Sequence, residues 1–310
     1  MRIIFMGTPE FAVPSLIKLS NSAHQVVAVV TAPDSLAGRD RSINIQSAVK
    51  KTALELNIPV LQPKNLKSEK FISKLKSYKP DIQVVVAFRM LPEVVWSLPH
   101  LGTINLHASL LPKYRGAAPI HWAIIKGETV TGLTTFRITH DIDTGDIIKQ
   151  LQVPILDDDD TGTLHDRMMN IGAQLVLDSL DIISQGQVEY QKQNDQEATP
   201  APKLFFESGR INFNQDVRNV YNHIRGLSPY PTAWCKLDNK ILKIYKCHLH
   251  PYSGKINRPG LINTDGKNYL YVDCQNGKLE IMEVQVEGKK KMDIKSFLNG
   301  WKLKSETFLE

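Results

Sequence analysis

Long hydrophobic runs are missing from this chain. Among its 310 residues, no apolar stretch approaches the roughly 20 residues that a membrane-spanning helix needs. The apolar part of the opening MRIIFMGTPEF is also too short for a secretory leader. Cysteine is scarce as well: Cys235, Cys247 and Cys274 form no CxxC pair, and their number is odd. Together these absences predict a cytoplasmic protein with reduced thiols and no contact with a membrane.

Motifs for phosphate-bearing cofactors and metal ions are equally absent. After the first predicted strand the chain continues GTPEFA, with one glycine where a dinucleotide fingerprint needs three, and no GxxxxGK(S/T) loop occurs. His248 and His250 lack nearby cysteine or carboxylate ligands, so they predict no metal site. The run 157–160 is four aspartates before a predicted helix, where acidic side chains accept hydrogen bonds from free N–H groups. The sequence therefore predicts no metal and gives no indication of NAD or ATP.

Positive charge is concentrated in the last part of the chain. Residues 1–190 contain 19 Lys and Arg against 19 Asp and Glu, whereas residues 191–310 contain 19 against 13. The whole net charge of +6 therefore lies in the second segment. A neutral N-terminal part and a basic C-terminal part favour a domain that binds small molecules, followed by a domain that binds a polyanion. A charge of this size could also serve solubility alone, and that alternative stays open.

The order of predicted elements indicates two domains joined by a linker. In the first part, β-branched runs such as QVVAVVT and DIQVVVAF alternate with helical segments at 46–57 and 68–77, which is typical of a doubly wound, Rossmann-like α/β domain. The segment GLTTFRITHDIDTGDIIKQLQVPI suggests a hairpin or bent strands added to the sheet. A polar, proline-containing stretch follows, and the short strands after it predict a small antiparallel barrel. We expect a catalytic domain at 1–189, a linker at 190–205 and a barrel domain at 206–310.

Two polar side chains stand at the end of a predicted buried strand, in the segment INLHASLLPKYRGAAPI. Residues two apart in a strand point to the same face, so Asn105 and His107 should lie side by side. Further along, THDIDTGDII offers three acids, Asp141, Asp143 and Asp146. A histidine can relay a proton, an aspartate can stabilise its cation, and an asparagine can donate to a developing oxyanion. These groups suit acyl transfer to an amine without a covalent enzyme intermediate.

Two other interpretations of these residues remain open. Asn105 and His107 could satisfy backbone groups of the turn while Asp143 forms an Asx turn. Ser109 could act as a nucleophile, but its surroundings, HASLL, lack the GxSxG elbow that exposes a catalytic serine. The Ser109 hydroxyl could instead cap the turn.

The sequence resembles a known family along nearly its whole length. INLHASLLPKYRGAAPI followed by DIDTGDII is similar to the signature of the 10-formyltetrahydrofolate-dependent formyltransferases. The segments RIIFMGTPEFA, PDSLAGRDR, GLSPYPTAW and KKKMDIKSFLNGW extend the resemblance to both ends. RGAAPI and the extra C-terminal domain are similar to the members that formylate initiator methionyl-tRNA for translation initiation. The resemblance implies a cytoplasmic transferase of one-carbon metabolism that uses 10-formyltetrahydrofolate, with a Rossmann-like domain followed by an OB-like barrel.

The resemblance also implies roles for residues at matching positions. Asn105, His107 and Asp143 match the catalytic trio, and the C-terminal barrel matches a tRNA-binding domain. The positions that match folate-binding segments are Ser109, Leu110, Leu111, Pro112, Phe88, Arg89 and Met90. Arg39 and Arg41 match a loop that engages the tRNA acceptor end. We add the run of Lys289, Lys290 and Lys291 as a hypothesis for RNA contact, with a solvated turn as the equal alternative.

One segment departs from the family pattern. Where the family has Tyr-Gly and a short run ending in Leu-Pro, this chain has VVVAFRMLP, one residue shorter and without the glycine. A missing glycine removes a residue that takes positive φ at no steric cost. We therefore expect the loop at 88–90 to follow another path or to bind folate with altered geometry.

Three alternative functions share some of these features. A formyltetrahydrofolate hydrolase would use the same trio with water as the acceptor, and an amino-sugar nucleotide formyltransferase would also carry a second domain. A non-catalytic RNA-binding protein would keep the N-terminal domain only as a relic. The intact trio and the basic C-terminal part favour transfer to methionyl-tRNA, and nothing in the sequence demands more than a monomer.

Overall fold

In the computed structural model, which describes residues 1–37, 43–251, 258–304 and 306–310, the chain divides into two units. Each unit is assembled from three stretches of chain. The first comprises Met1–Gly116, Thr131–Val153 and His165–Pro200. The second comprises Ala117–Val130, Pro154–Leu164 and Ala201–Glu310.

The first unit is built on a seven-stranded sheet. In chain order the strands are β1 (Arg2–Gly7), β2 (Gln25–Val30), β3 (Ser35–Ala37), β4 (Ile43–Ile45), β5 (Val60–Leu61), β6 (Ile82–Val86), β7 (Thr103–His107), β8 (Val130–Arg137) and β9 (Ile147–Pro154). The sheet has the order β5-β2-β1-β6-β7-β8-β9, and β3 pairs with β4. The first five strands of that order run parallel, and β8 runs antiparallel to β7. The carboxyl ends of β6 and β7 therefore meet at one edge.

Helices connect the parallel strands and cover the sheet. The α-helices of the described residues are α1 (Val13–Ser20), α2 (Ala48–Glu55), α3 (Glu69–Ser77), α4 (Glu93–Trp96), α5 (Pro119–Ile125), α6 (Thr161–Ser184), α7 (Val217–Leu227) and α8 (Ile294–Gly300). Ile4 and Met6 of β1 share a core cluster with Phe71 of α3. Ile3 and Phe5 point to the opposite face and are also fully buried. Because both faces are covered, the predicted doubly wound α/β fold is confirmed.

The second unit contains an antiparallel sheet. Its strands are β10 (Ala233–Leu237), β11 (Lys240–His250), β12 (Ile262–Thr264), β13 (Leu270–Asp273), β14 (Lys278–Val286) and β15 (Met292–Asp293). Their order is β10-β11-β14-β13-β12, with β15 paired to β14. Three free thiols lie buried in this unit, and burial raises the pKa of Cys274 to about 12. The predicted succession of an α/β domain and an antiparallel β domain is confirmed.

The acidic run before α6 provides a cap for the N-terminus of the helix. Asp160 Oδ1 accepts a hydrogen bond from Thr163 N at 2.9 Å, which confirms the capping interpretation for this residue. In the part of the chain that the structure describes, no group of three His, Cys, Asp or Glu side chains could hold a metal ion. No helix within those residues is long and apolar enough to cross a membrane.

Candidate active site

Strand β7 carries Asn105 and His107 to the edge where the parallel strands end. Asn105 lies between Val85 of β6 and Phe136 of β8, and His107 is the last residue of the strand. The two polar side chains share a face, as the two-residue period of a strand requires. Both side chains therefore lie at the carboxyl end of β7, next to the loop that follows the strand.

The two nitrogens of the buried His107 ring have different neighbours. Nε2 donates a hydrogen bond to the Tyr114 backbone oxygen at 2.8 Å. Because a carbonyl only accepts, Nε2 carries a hydrogen as long as this bond exists. Nδ1, the other ring nitrogen, lies 3.7 Å from Asp143 Oδ2.

A turn between β8 and β9 places Asp143. Its backbone has a φ of 55°, a left-handed conformation that aspartate adopts more readily than most residues. Oδ2 accepts a hydrogen bond from Gly116 N at 2.8 Å, and the side chain is only 14% exposed. Asp141, in contrast, is 79% exposed beside His140. Within the described residues, Asp143 is the carboxylate at ion-pair distance from His107.

Gly145 allows the same turn to approach β8. A Cβ atom at this position would lie 1.7 Å from the Arg137 backbone oxygen, so no side chain fits there. The glycine of the DTGD segment is therefore needed for the close approach of two backbones. This close approach keeps the turn that carries Asp143 packed against the end of β8.

The segment SLLP after β7 is largely built into the fold. Ser109 is fully buried, and its hydroxyl donates to the Lys113 backbone oxygen at 2.6 Å. Leu111 is part of a buried hydrophobic cluster, whereas Leu110 and Pro112 are half-buried. The interpretation of Ser109 as a turn cap is confirmed, because its hydroxyl is already engaged with the backbone.

The chain after β6 turns without a glycine. Ala87 has a φ of 47°, so an alanine occupies the left-handed region. Phe88 packs on the hydrophobic core of the sheet. Arg89 donates to the Lys64 backbone oxygen at 3.2 Å, and its guanidinium lies 5.8 Å from the centre of the Phe88 ring. Met90 is 69% exposed.

A cavity of about 870 Å³ opens beside this segment, within the first unit. The side chains on its wall include Lys64, Lys67, Arg89, Met90, Glu93, Trp96 and His140. Arg89 and Met90 were expected from the sequence as folate-binding residues. The others were not, because they come from three separate segments that no local pattern links. The wall combines apolar surface with three cationic side chains and one glutamate.

The residues expected to contact RNA are two arginines and a run of three lysines. Arg39 and Arg41 lie outside the described residues. The run Lys289–Lys291 is exposed in the turn between β14 and β15. Lys291 Nζ lies 2.7 Å from Glu283 Oε2. This geometry is compatible both with a solvated turn and with a surface for phosphate groups.

Comparison with known proteins identifies the family. The formyl transferase family matches residues 1–180, and the formyl transferase C-terminal domain family matches residues 203–302. The chain therefore belongs to the formyl transferases, and the resemblance inferred from its sequence is confirmed. A methionyl-tRNA formyltransferase from Parabacteroides distasonis is 50% identical over 313 residues, which cover 97% of this chain and 96% of that protein.

Solved structures share the fold at lower identity. WlaRD, a sugar 3N-formyl transferase solved with dTDP and 5-N-formyl-THF, has a TM-score of 0.68 at 21% identity, covering 94% of this chain and 99% of that one. The methionyl-tRNA formyltransferase from Clostridium thermocellum has a TM-score of 0.56 at 18% identity, covering 81% and 94%. At these identities the likeness concerns the fold alone.

Proposed function

We propose that this chain transfers the formyl group of 10-formyltetrahydrofolate to the α-amino group of initiator methionyl-tRNA, which yields N-formylmethionyl-tRNA for translation initiation. The observation that carries the proposal is the His107–Asp143 pair at the end of β7, beside Asn105, in a chain of the formyl transferase family. The identity of 50% to a methionyl-tRNA formyltransferase supports the choice of acceptor.

The proposed catalytic residues have distinct roles. Asn105 donates its amide hydrogens to the oxygen that becomes negative when the amine attacks the formyl carbon, and the cationic form of His107 assists it. Neutral His107 accepts the proton of the attacking amine at Nδ1, because Nε2 is engaged with the Tyr114 backbone, and it returns this proton to N10 of the folate as the bond between N10 and the formyl carbon breaks. Asp143 orients the ring and stabilises its cation from 3.7 Å. Together they provide an oxyanion site and a proton relay.

The chemistry of the cavity beside Arg89 fits a folate. Tetrahydrofolate joins a flat ring system to a glutamate tail, so a site for it needs apolar surface and positive charge. The cavity offers apolar carbon from Met90 and Trp96 and positive charge from Lys64, Lys67 and Arg89. The remaining residues that we propose for the folate site are Phe88, Ser109, Leu110, Leu111 and Pro112. When bound, 10-formyltetrahydrofolate supplies the activated formyl group.

The C-terminal part is proposed to contact the tRNA. Residues 191–310 carry the whole excess of positive charge, and binding to phosphates requires exposed cations such as those of Lys289–Lys291. We propose Arg39 and Arg41 for the acceptor end. We also propose a cytoplasmic monomer with a catalytic domain at 1–189, a linker at 190–205 and a tRNA-binding domain at 206–310. The site of translation, where methionyl-tRNA is consumed, supports this location.

An acceptor competition assay tests the proposal. Purified protein is supplied with 10-formyltetrahydrofolate and, in parallel reactions, with methionyl-tRNA, free methionine, an amino-sugar nucleotide or water alone. We expect formylation of methionyl-tRNA, with a KM that rises steeply with salt because phosphate contacts release counterions. Formylation of the sugar nucleotide, or release of formate without an acceptor, would instead support the amino-sugar or the hydrolase alternative.

A further inference from the structure

The chain after α6 returns to the turn that carries Asp143. We propose that Gln193 is a positioning residue, which holds this turn so that the Asp143 carboxylate faces His107 Nδ1. The inference rests on the proposed function. It adds a residue from a segment whose composition suggested a linker.

The Gln193 side chain bridges the turn with both of its amide hydrogens. Nε2 donates to the Asp143 backbone oxygen at 2.9 Å and to the Gly145 backbone oxygen at 2.8 Å. One amide group therefore holds two carbonyls of the DTG segment. These contacts stabilise the left-handed backbone of Asp143, a conformation that L-residues otherwise disfavour.

Arg115 determines the orientation of the Gln193 amide. Its Nε and Nη2 donate to Gln193 Oε1 at 3.0 and 2.7 Å. A guanidinium has only donors, so the amide atom that faces it is the oxygen, and the nitrogen must face the two carbonyls. A reversed amide would lose all four hydrogen bonds. The four hydrogen bonds therefore define one orientation of the Gln193 amide.

The loop around Arg115 also contacts both proposed catalytic side chains. The Tyr114 backbone oxygen accepts from His107 Nε2, and Gly116 N donates to Asp143 Oδ2. Three consecutive residues thus hold the histidine, the glutamine and the aspartate. Asp143 cannot move away from His107 without breaking contacts in this ring of hydrogen bonds.

Backbone pairing anchors Gln193 from both directions along the chain. Gln191 exchanges two backbone hydrogen bonds with Ile147, at 2.8 and 2.9 Å. Further along, Arg115 N donates to the Thr199 backbone oxygen at 2.9 Å. The backbone on both sides of Gln193 is therefore held in place. A residue that positions another group requires such an anchored backbone.

Two substitutions separate hydrogen donation from packing. Gln193→Ala removes the side chain, whereas Gln193→Glu keeps an oxygen acceptor for Arg115 and loses both hydrogens that reach the turn. We expect kcat for methionyl-tRNA formylation to fall about 10- to 100-fold in both variants, since a displacement of about 1 Å suffices for such a loss. The KM for methionyl-tRNA should change less than about twofold, because the lost interaction acts on the chemical step.

Gln196→Ala is the matched control. Gln196 is an exposed glutamine of the same segment, and we expect its kcat to stay within about twofold of the wild type. A double variant tests the route of action. If Gln193 acts only through Asp143, adding Gln193→Ala to Asp143→Asn lowers kcat no further. Multiplicative losses in the double variant would contradict the inference.

Full activity in Gln193→Glu would also overturn it, because donation to the turn would then be unnecessary. A second measurement does not depend on turnover: the ¹⁵N shift of His107 Nδ1 in the substrate-free protein. We expect this shift to change in Gln193→Ala and to stay constant in Gln196→Ala, and an unchanged shift in Gln193→Ala contradicts the positioning role whatever the acceptor. Failure of the wild type to formylate methionyl-tRNA would contradict the proposed function only.

Discussion

Each unit contains a buried histidine, and the two have opposite surroundings. His107 of the first unit faces Asp143 and donates its Nε2 hydrogen to a backbone oxygen. His223 lies on α7 of the second unit, where burial lowers its pKa, and its Nε2 has no hydrogen-bond partner among the residues that the structure describes. A facing carboxylate favours a cationic ring, whereas burial alone disfavours it. Burial therefore does not mark a catalytic histidine, and neither does a nearby acid by itself, because the His24 side chain is also 6% exposed and its Nε2 lies 3.0 Å from Asp181 Oδ1. The acid that faces His107 is itself enclosed, since Asp143 is 14% exposed whereas Asp181 is 51% exposed.

The largest difference between the two histidines should appear in turnover. We expect His107→Ala to lower kcat about 10²- to 10⁴-fold, since it removes both the proton relay and a donor to the oxyanion. His223→Gln should stay within about twofold of the wild type. Steady-state formylation of methionyl-tRNA measures both values. Near-wild-type kcat in His107→Ala would contradict the catalytic role of His107.

A smaller effect should follow from neutralising the facing acid. We expect Asp143→Asn to lower kcat about 10- to 100-fold, because the amide keeps the shape of the side chain but no longer stabilises the histidine cation. Asp166→Asn is the matched control: His165 Nδ1 lies 2.9 Å from Asp166 Oδ1, yet that carboxylate is 72% exposed. Single-turnover rates compare the two. An equal loss in both variants would contradict a specific role of the enclosed Asp143 carboxylate.

The basic C-terminal part should act on binding rather than on chemistry. We expect Lys289→Ala combined with Lys290→Ala to raise the KM for methionyl-tRNA about threefold and to reduce the slope of log KM against log salt by about 1 per lost phosphate contact. Lys18→Ala, which removes an exposed lysine of α1, is the control. A KM unchanged by the double substitution would favour the solvated-turn interpretation.

The smallest expected effect concerns stability at low pH. Because burial lowers the pKa of His223 in the folded state, the unfolded chain takes up the proton more readily below the ordinary histidine pKa of about 6.5. The free energy of unfolding should therefore fall as the pH drops below that value, and less steeply in His223→Gln. Thermal unfolding between pH 7.5 and 5 measures this, and parallel curves for both proteins would contradict the expectation.

Much of the fold could be predicted because it depends on local patterns. β-branched runs predicted the buried strands β2 and β6, and the acidic run predicted the start of α6. The pair Asn105 and His107 could be predicted from the period of a strand alone. The α/β architecture follows, because strand and helix alternate along the chain.

By itself, the sequence determined which residue types stand at the end of β7 and which family the chain resembles. The resemblance already pointed to Asp143 among the three acids, whereas the tertiary structure supplied its distance of 3.7 Å from His107 Nδ1 and the left-handed backbone of the turn that carries it. The tertiary structure also joined Gln193 to Asp143, 50 residues away, and to Arg115, 78 residues away. Strand and helix periods relate residues a few positions apart, whereas such contacts arise only when distant loops converge at a sheet edge.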